Sequence, residues 1–265
     1  MRGLRIAGAL ALLGVGVAAG IWALSPRAAS ILIEAGRAAP VMATPGAPLG
    51  VTLTIRNTGG PDRLLSISSR EAARMVLAGA DDPAGLAIPA GGTPSLALDG
   101  AHGMLMGLEG TAEPGRLLPV TLAFAEAGTV TARLRLDAAP DEAGDGMAMA
   151  GHGMHGAELL EVAASEAPAV ALSVTPEGDG WRVIADTTRF RFAPEAMDGP
   201  HAPGEGHGHL YLGGLKLGRM TGPETTVGAL PPGRHRLRLT LNTNDHRAYA
   251  LDGTPIAAEV EITAP

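Results

Sequence analysis

Between residues 49 and 57 apolar and polar side chains alternate one for one, Val51, Leu53 and Ile55 against Thr52, Thr54 and Arg56. A period of two puts one set on a buried face and the other in water, the pattern of a half-buried strand. The alternation returns at 129–136, with Val130, Ala132, Leu134 and Leu136 against Thr129, Thr131, Arg133 and Arg135, and at 235–241, with Leu237, Leu239 and Leu241 against Arg236, Arg238 and Thr240. Apolar runs bounded by turn residues predict further strands at 31–34, 63–68, 85–88, 94–98, 102–108 and 117–124. In the second half they predict strands at 170–174, 181–185, 189–192, 207–212, 215–217, 224–227, 249–251 and 257–262. Only 70–77 hints at helical spacing. The expected fold is therefore all-β, two β-sandwich domains, the second immunoglobulin-like.

Arg2 and Arg5 precede an uncharged, mostly apolar run at 6–24, which reads as a signal peptide or a membrane anchor helix over 1–27. Residues 28–136 and 168–265 then form the two sandwiches. Between them, 137–167 is rich in Ala, Gly, Asp and Glu, holds little that could bury a core, and is expected to be a flexible linker.

Composition narrows the function. Thirty-eight glycines and 21 prolines supply the turns of an all-β chain. The net charge is −7 with no basic block, so no nucleic-acid partner is expected. Cysteine is absent, which excludes disulfides, thiolate ligands and attachment of a lipid to cysteine. No G-x-S-x-G or H-E-x-x-H pattern occurs, and the chain is not expected to be an enzyme.

All eight histidines and six of the ten methionines fall within 101–106, 147–155 and 201–246. Without cysteine, thioether sulfur and imidazole nitrogen are the softest donors available, and their pairing favours copper. In the first stretch His102, Met104 and Met106 share parity, so in a strand they leave one face and suit Cu(I). In the second, Met147, Met149, His152, Met154 and His155 lie where no core exists to bury methionine; a mobile copper relay and compositional drift are both open readings. In the third, His207 and His209 point to one side of a strand start and form half of a site. His246 is the leading candidate to complete it and His201 is nearer in sequence; three nitrogens would suit Cu(II), with zinc chemically acceptable. His235 shares parity with Leu237 and Leu239 and is expected to be a hydrogen-bonded structural residue.

The runs Ile88-Pro89-Ala90-Gly91-Gly92-Thr93, His102-Gly103-Met104-Leu105-Met106-Gly107-Leu108 and Leu118-Pro119-Val120-Thr121-Leu122 resemble the PCu(A)C periplasmic copper chaperone family, as does Leu53-Thr54-Ile55-Arg56-Asn57-Thr58-Gly59-Gly60. The resemblance implies a cupredoxin-like first sandwich and an H-x-M copper element at His102 and Met104. It also implies transfer to a copper-accepting periplasmic or membrane protein, commonly the Cu(A) centre of respiratory oxidase. The family's further upstream ligands would fall near Ser69 and Ala80, neither of which binds copper. The second sandwich, with Phe190-Arg191-Phe192-Ala193-Pro194-Glu195, resembles a β-domain of exported bacterial proteins to which no function attaches. The expectation is a periplasmic copper metallochaperone, at the inner membrane if the anchor is uncleaved. The alternative is a periplasmic interaction or scaffolding module with degenerate metal sites.

Overall fold

The computed structural model describes residues 30–42, 44, 46–138 and 158–265. The expected signal or anchor segment and the tether residues Met147, Met149, His152, Met154 and His155 lie outside them. Among the described residues no helix is long and apolar enough to cross a membrane.

The first sandwich runs through β1 (Ile31–Pro40), β2 (Leu49–Asn57), β3 (Asp62–Ser68), β4 (Ala72–Ala78), β5 (Leu86–Ile88), β6 (Ser95–Leu96), β7 (His102–Leu108), β8 (Leu117–Phe124) and β9 (Thr129–Leu136). Hydrogen bonding links them in the order β4-β7-β2-β1-β9-β8-β3-β5, with β1–β9 parallel and the other pairs antiparallel. β7 takes the first half of β2 and β6 the second, at Leu53 and Thr54. The alternation of β2 does what its sequence predicts: Val51, Leu53 and Ile55 are buried with Leu64, Leu122 and Leu134 in one aliphatic core. Aliphatic burial of this kind contributes about 1.5–3 kcal/mol per large side chain. The ambiguous segment at 70–77 is a turn at 70–71 and strand from Ala72, not helix. β4 runs antiparallel to β7, with Val76 opposite Met104 and Leu77 opposite Gly103, and this pairing overrides a weak local propensity.

The second sandwich comprises β10 (Leu159–Glu161), β11 (Ala169–Glu177), β12 (Gly180–Thr188), β13 (Arg191–Phe192), β14 (Glu205–Leu212), β15 (Leu215–Met220), β16 (Glu224–Val227), β17 (Gly233–Asn242), β18 (Ala248–Leu251), β19 (Thr254–Pro255) and β20 (Ala257–Ala264). An antiparallel sheet β15-β14-β17-β20 faces the three-stranded sheet β11-β12-β16, a four-on-three arrangement of the expected immunoglobulin-like kind. Trp181 and Val183 of one sheet pack with Leu210, Leu237, Leu239 and Ile262 of the other. The tail of the expected linker is not all coil: β10 pairs in parallel with β18.

The two sandwiches touch over a narrow, tightly fitted seam, and residues 31–265 form one compact unit. Ser95 of β6 pairs with Lys216 of β15. Backbone bonds cross from Ala101 N to Gly214 O (2.7 Å), Ala90 N to Ala229 O (2.9 Å) and Asp81 N to Gly213 O (3.2 Å). Leu215 is buried in the first core and Ala87 in the second, so each sandwich lends the other a side chain. Gly214 permits this approach: a Cβ there would lie 2.0 Å from Gly79 O.

Candidate metal centre

Three of the histidines meet. His207 and His209 leave the same face of β14, opposite Asn242 and Thr240 of β17. Gly206 lets the strand start there, since a Cβ would strike Asn242 O at 1.8 Å. His246 comes from the β17–β18 turn, where it takes a left-handed conformation (φ 71°). The turn is closed by Thr243 N to Arg247 O (2.8 Å) and His246 N to Thr243 O (3.1 Å). Asp245 holds it from within by accepting bonds from Thr243 Oγ1 and from Arg247. Asp245, which organises the turn, and His246, which reaches the trio, are thus neighbours in one loop.

One donor nitrogen from each of His207, His209 and His246 lies within 4.8 Å of the other two. The Nε2 atoms of His207 and His209 are 3.0 Å apart. At the ~2.0–2.1 Å typical of metal–imidazole bonds, that separation corresponds to an angle of about 90–100° at an ion, within the range of a distorted tetrahedral or trigonal site. His207 is fully buried (0% exposed) and His209 nearly so (3%). The side chain of His246 is 33% exposed, which makes it the member of the trio open to solvent.

The charges around the trio cancel. Lys216 Nζ and Asp99 Oδ2 both sit 3.1 Å from His209 Nδ1 and 2.5 Å from each other, with Tyr211 OH 3.0 Å from the same carboxylate oxygen. Asp198 Oδ1 lies 2.5 Å from His246 Nε2 and accepts from Arg219 at 3.0 Å. Two cations and two carboxylates leave a neutral surround. Burial alone would push the Asp99 carboxyl up, but bonds and charges from His209 and Lys216 hold it well below its ordinary range. Burial, with the neighbouring His209 and His246, pushes His207 down to about 3, and burial likewise lowers His209. Both buried imidazoles are thus neutral near pH 7, the form in which imidazole ligates a metal.

The donor set fits a cation better than it fits a structural role. Two buried imidazoles facing each other nitrogen to nitrogen at 3.0 Å share at most one proton, a pairing that a cation held between them would replace. Three neutral nitrogens could hold a copper ion, and zinc is compatible with the same set.

The other candidates lie elsewhere. His201 packs its ring 6.0 Å from that of Tyr249 and is not in the trio. His235 Nε2 lies 2.6 Å from Pro231 O, as a structural histidine would. On β7, His102 is 3% exposed, whereas Met104 and Met106 on the same face are half-buried. His102 Nδ1 lies 2.9 Å from Gly100 O, a carbonyl to which it can only donate. Ser69, where the copper family would place a ligand, donates to Pro119 O at 2.8 Å, and Ala80 packs against the first core. Sequence reasoning missed Asp99, Tyr211, Lys216, Asp198 and Arg219. Of these only Tyr211 carried a signal, its parity with His207 and His209; Lys216 and Arg219 come from the adjoining hairpin strand, and Asp99 reaches His209 from 110 residues away.

The family profile described as LpqE-like, a lipoprotein family, matches residues 32–136. Comparison with curated proteins gives no match. Similar solved structures include the copper-bound PCuAC domain from PmoF2 (22% identity, 41% of this chain and 93% of that one, TM-score 0.37). They also include the apo PCuAC domain from PmoF1 (25%, 41% and 94%, 0.37) and the apo PmoF2 PCuAC domain (22%, 41% and 90%, 0.34). The histidine trio lies outside the matched residues, and it is the first sandwich alone that is similar to the LpqE-like family.

Proposed function

We propose that this chain is an exported copper-binding metallochaperone, which holds copper at His207, His209 and His246 and passes it to a copper-accepting periplasmic or membrane protein. The observation that carries this reading is the trio itself: two buried, neutral imidazoles 3.0 Å apart and a third from a solvent-facing turn. Neutral nitrogen donors with no thiolate or ligating carboxylate suit an ion that must be released again. The exposed edge at His246 gives a recipient access, as exchange requires. His102 and Met104 are the second copper position, a Cu(I) site with softer donors, and the tether residues Met147, Met149, His152, Met154 and His155 are transient ligands between the two. The match of the first sandwich to a lipoprotein family supports a periplasmic location.

A second reading, an interaction module whose first site has degenerated, is favoured by Ser69 and Ala80, which supply no ligand at the positions the resemblance implies. Titration of the purified chain with Cu(I) and Cu(II), read as bound equivalents against a competing chelator, separates the two. Loss of one equivalent in His207→Ala/His209→Ala, and of another in His102→Ala/Met104→Ala, supports the chaperone. No tight binding by the unaltered chain overturns it.

A further inference from the structure

We propose that Asp99, carried by the first sandwich, fixes which nitrogen His209 presents to the trio, so that the histidine site of the second sandwich is complete only while the two are docked. The inference rests on the metal-binding reading above and adds a positioning residue to it.

The argument is one of donors and acceptors at a single atom. His209 Nδ1 has Asp99 Oδ2 and Lys216 Nζ at 3.1 Å and Tyr211 OH at 3.4 Å. A carboxylate only accepts and an ammonium only donates. If Nδ1 donates to Asp99, the His209 proton is there and the lone pair is on Nε2, the atom 3.0 Å from His207 Nε2. If Nδ1 accepts from Lys216, the proton moves to Nε2 and the ring cannot ligate from that side. Asp99 is the nearest acceptor to Nδ1 and the charged one, and it also ties up Lys216 at 2.5 Å. Without it an unneutralised ammonium would stabilise the wrong tautomer and repel the incoming cation. Carboxylate–histidine–metal relays act in this way.

The second sandwich places no carboxylate at this atom; the only acceptor it offers is the Tyr211 hydroxyl, at the longer distance of 3.4 Å. Asp99 sits in the turn between β6 and β7, closed by Ala97 N to Ala101 O and Gly100 N to Ala97 O, both 2.9 Å. That turn is held against the second sandwich by Ala101 N to Gly214 O at 2.7 Å, and His102 Nδ1 bonds to Gly100 O one residue from Asp99. The H-x-M element and the trio are thus joined through three residues of backbone, at most about 10 Å of chain. Separation of the sandwiches withdraws the carboxylate from His209.

The test is a double-mutant cycle on the full chain, with Zn(II) as a diamagnetic probe. Affinity is read by chelator competition, and the His209 tautomer by long-range 1H–15N correlation of the imidazole nitrogens. The zinc-loaded unaltered chain is expected to carry the His209 proton on Nδ1. Asp99→Ala should weaken binding by about 10–100-fold and shift metal-free His209 towards the Nε2–H form. Lys216→Ala should leave affinity unchanged or tighten it. The double variant, which leaves no buried charge uncompensated and is therefore the version expected to fold, should bind more weakly than Lys216→Ala alone. Asp99→Ala binding within twofold of the unaltered chain overturns the proposal. So does equal weakening by Asp99→Ala and Lys216→Ala, which would mark the pair as merely structural, or equal binding by the double variant and Lys216→Ala. Failure of the unaltered chain to bind zinc or copper would instead sink the metal-binding reading itself.

Discussion

Gly213 and Gly214 are adjacent, both left-handed (φ 54° and 89°), and differ in one respect: a Cβ on Gly213 meets nothing within 4 Å, whereas on Gly214 it would lie 2.0 Å from Gly79 O across the seam. The pair of alanine substitutions therefore separates conformational cost from steric cost. Alanine in the left-handed region costs about 1–2 kcal/mol, and restriction of the unfolded chain returns about 0.4–1. Gly213→Ala should thus destabilise by about 1 kcal/mol. Gly214→Ala carries the same term and must also open the contact from 2.0 Å to the ~3.3 Å of an ordinary carbon–oxygen approach. An opening of that size strains the bonds Ala101 N to Gly214 O and Asp81 N to Gly213 O, each worth about 1 kcal/mol, and shifts the fully buried Leu215. The expected total is about 3–4 kcal/mol. Urea denaturation of both variants, followed by the fluorescence of buried Trp181, measures the difference. A gap below about 0.5 kcal/mol, the usual scale of an unremarkable surface change, would refute the claim that the seam is sterically closed. Because Gly100 and Asp99 lie in the turn packed on Gly214, Gly214→Ala should also weaken metal binding, and Gly213→Ala should not.

Asp62 is buried and accepts from Arg63 N (2.7 Å), Glu126 N and Ala127 N (both 2.9 Å), closing the β8–β9 turn onto β3. Asp62→Ala should cost about 3 kcal/mol in chemical denaturation, more than Asp62→Asn, which keeps one acceptor oxygen. His207 has a pKa lowered to about 3 from 6.5, so its contribution to stability is complete above pH 6.5 and is lost as pH falls through that window. Between pH 7 and 5 the metal-free chain should lose roughly 2 kcal/mol from this group, with His209 adding in the same direction; a pH dependence that persists unchanged in His207→Gln/His209→Gln would contradict this. His246→Ala should weaken copper binding by more than the ~10–100-fold expected for loss of an outer partner, whereas His201→Ala, whose ring rests against Tyr249, should leave it unaltered in the same competition titration.

Most of the fold was legible because its strands obey a period of two. The predicted bounds of β2, β7, β8, β9 and β16 coincide with those observed. What the alternation could not reveal was pairing that depends on a distant partner. β4 carries Ala72, Met75 and Leu77 at a spacing that also fits a helix turn, and only the neighbouring β7 makes it a strand. β10 is three residues long and owes its existence to β18, more than eighty residues away. The strong pattern of β17 had a further reading that parity alone could not give. Its far end, Thr240 to Asn242, is buried on both faces, because one face packs the core and the other backs the histidines.

The trio was half legible for the same geometric reason, since His207 and His209 had to share a face, while the arrival of His246 depended on a left-handed turn that strand periodicity does not reveal. Asp99 was invisible. It stands in the other sandwich, 110 residues before His209, and an aspartate before a glycine reads as nothing more than a turn. Yet the energetics of the site depend on it. Two buried imidazoles beside Lys216 and Arg219 would form an electropositive pocket hostile to any cation; with Asp99 and Asp198 in place the local charge is zero and an ion has to displace only the shared proton of the His207–His209 pair. The first sandwich therefore does more than carry an H-x-M element of its own. By placing one carboxylate across the seam it sets the electrostatics around His209, which ties the proposed metal site to the docking of both sandwiches.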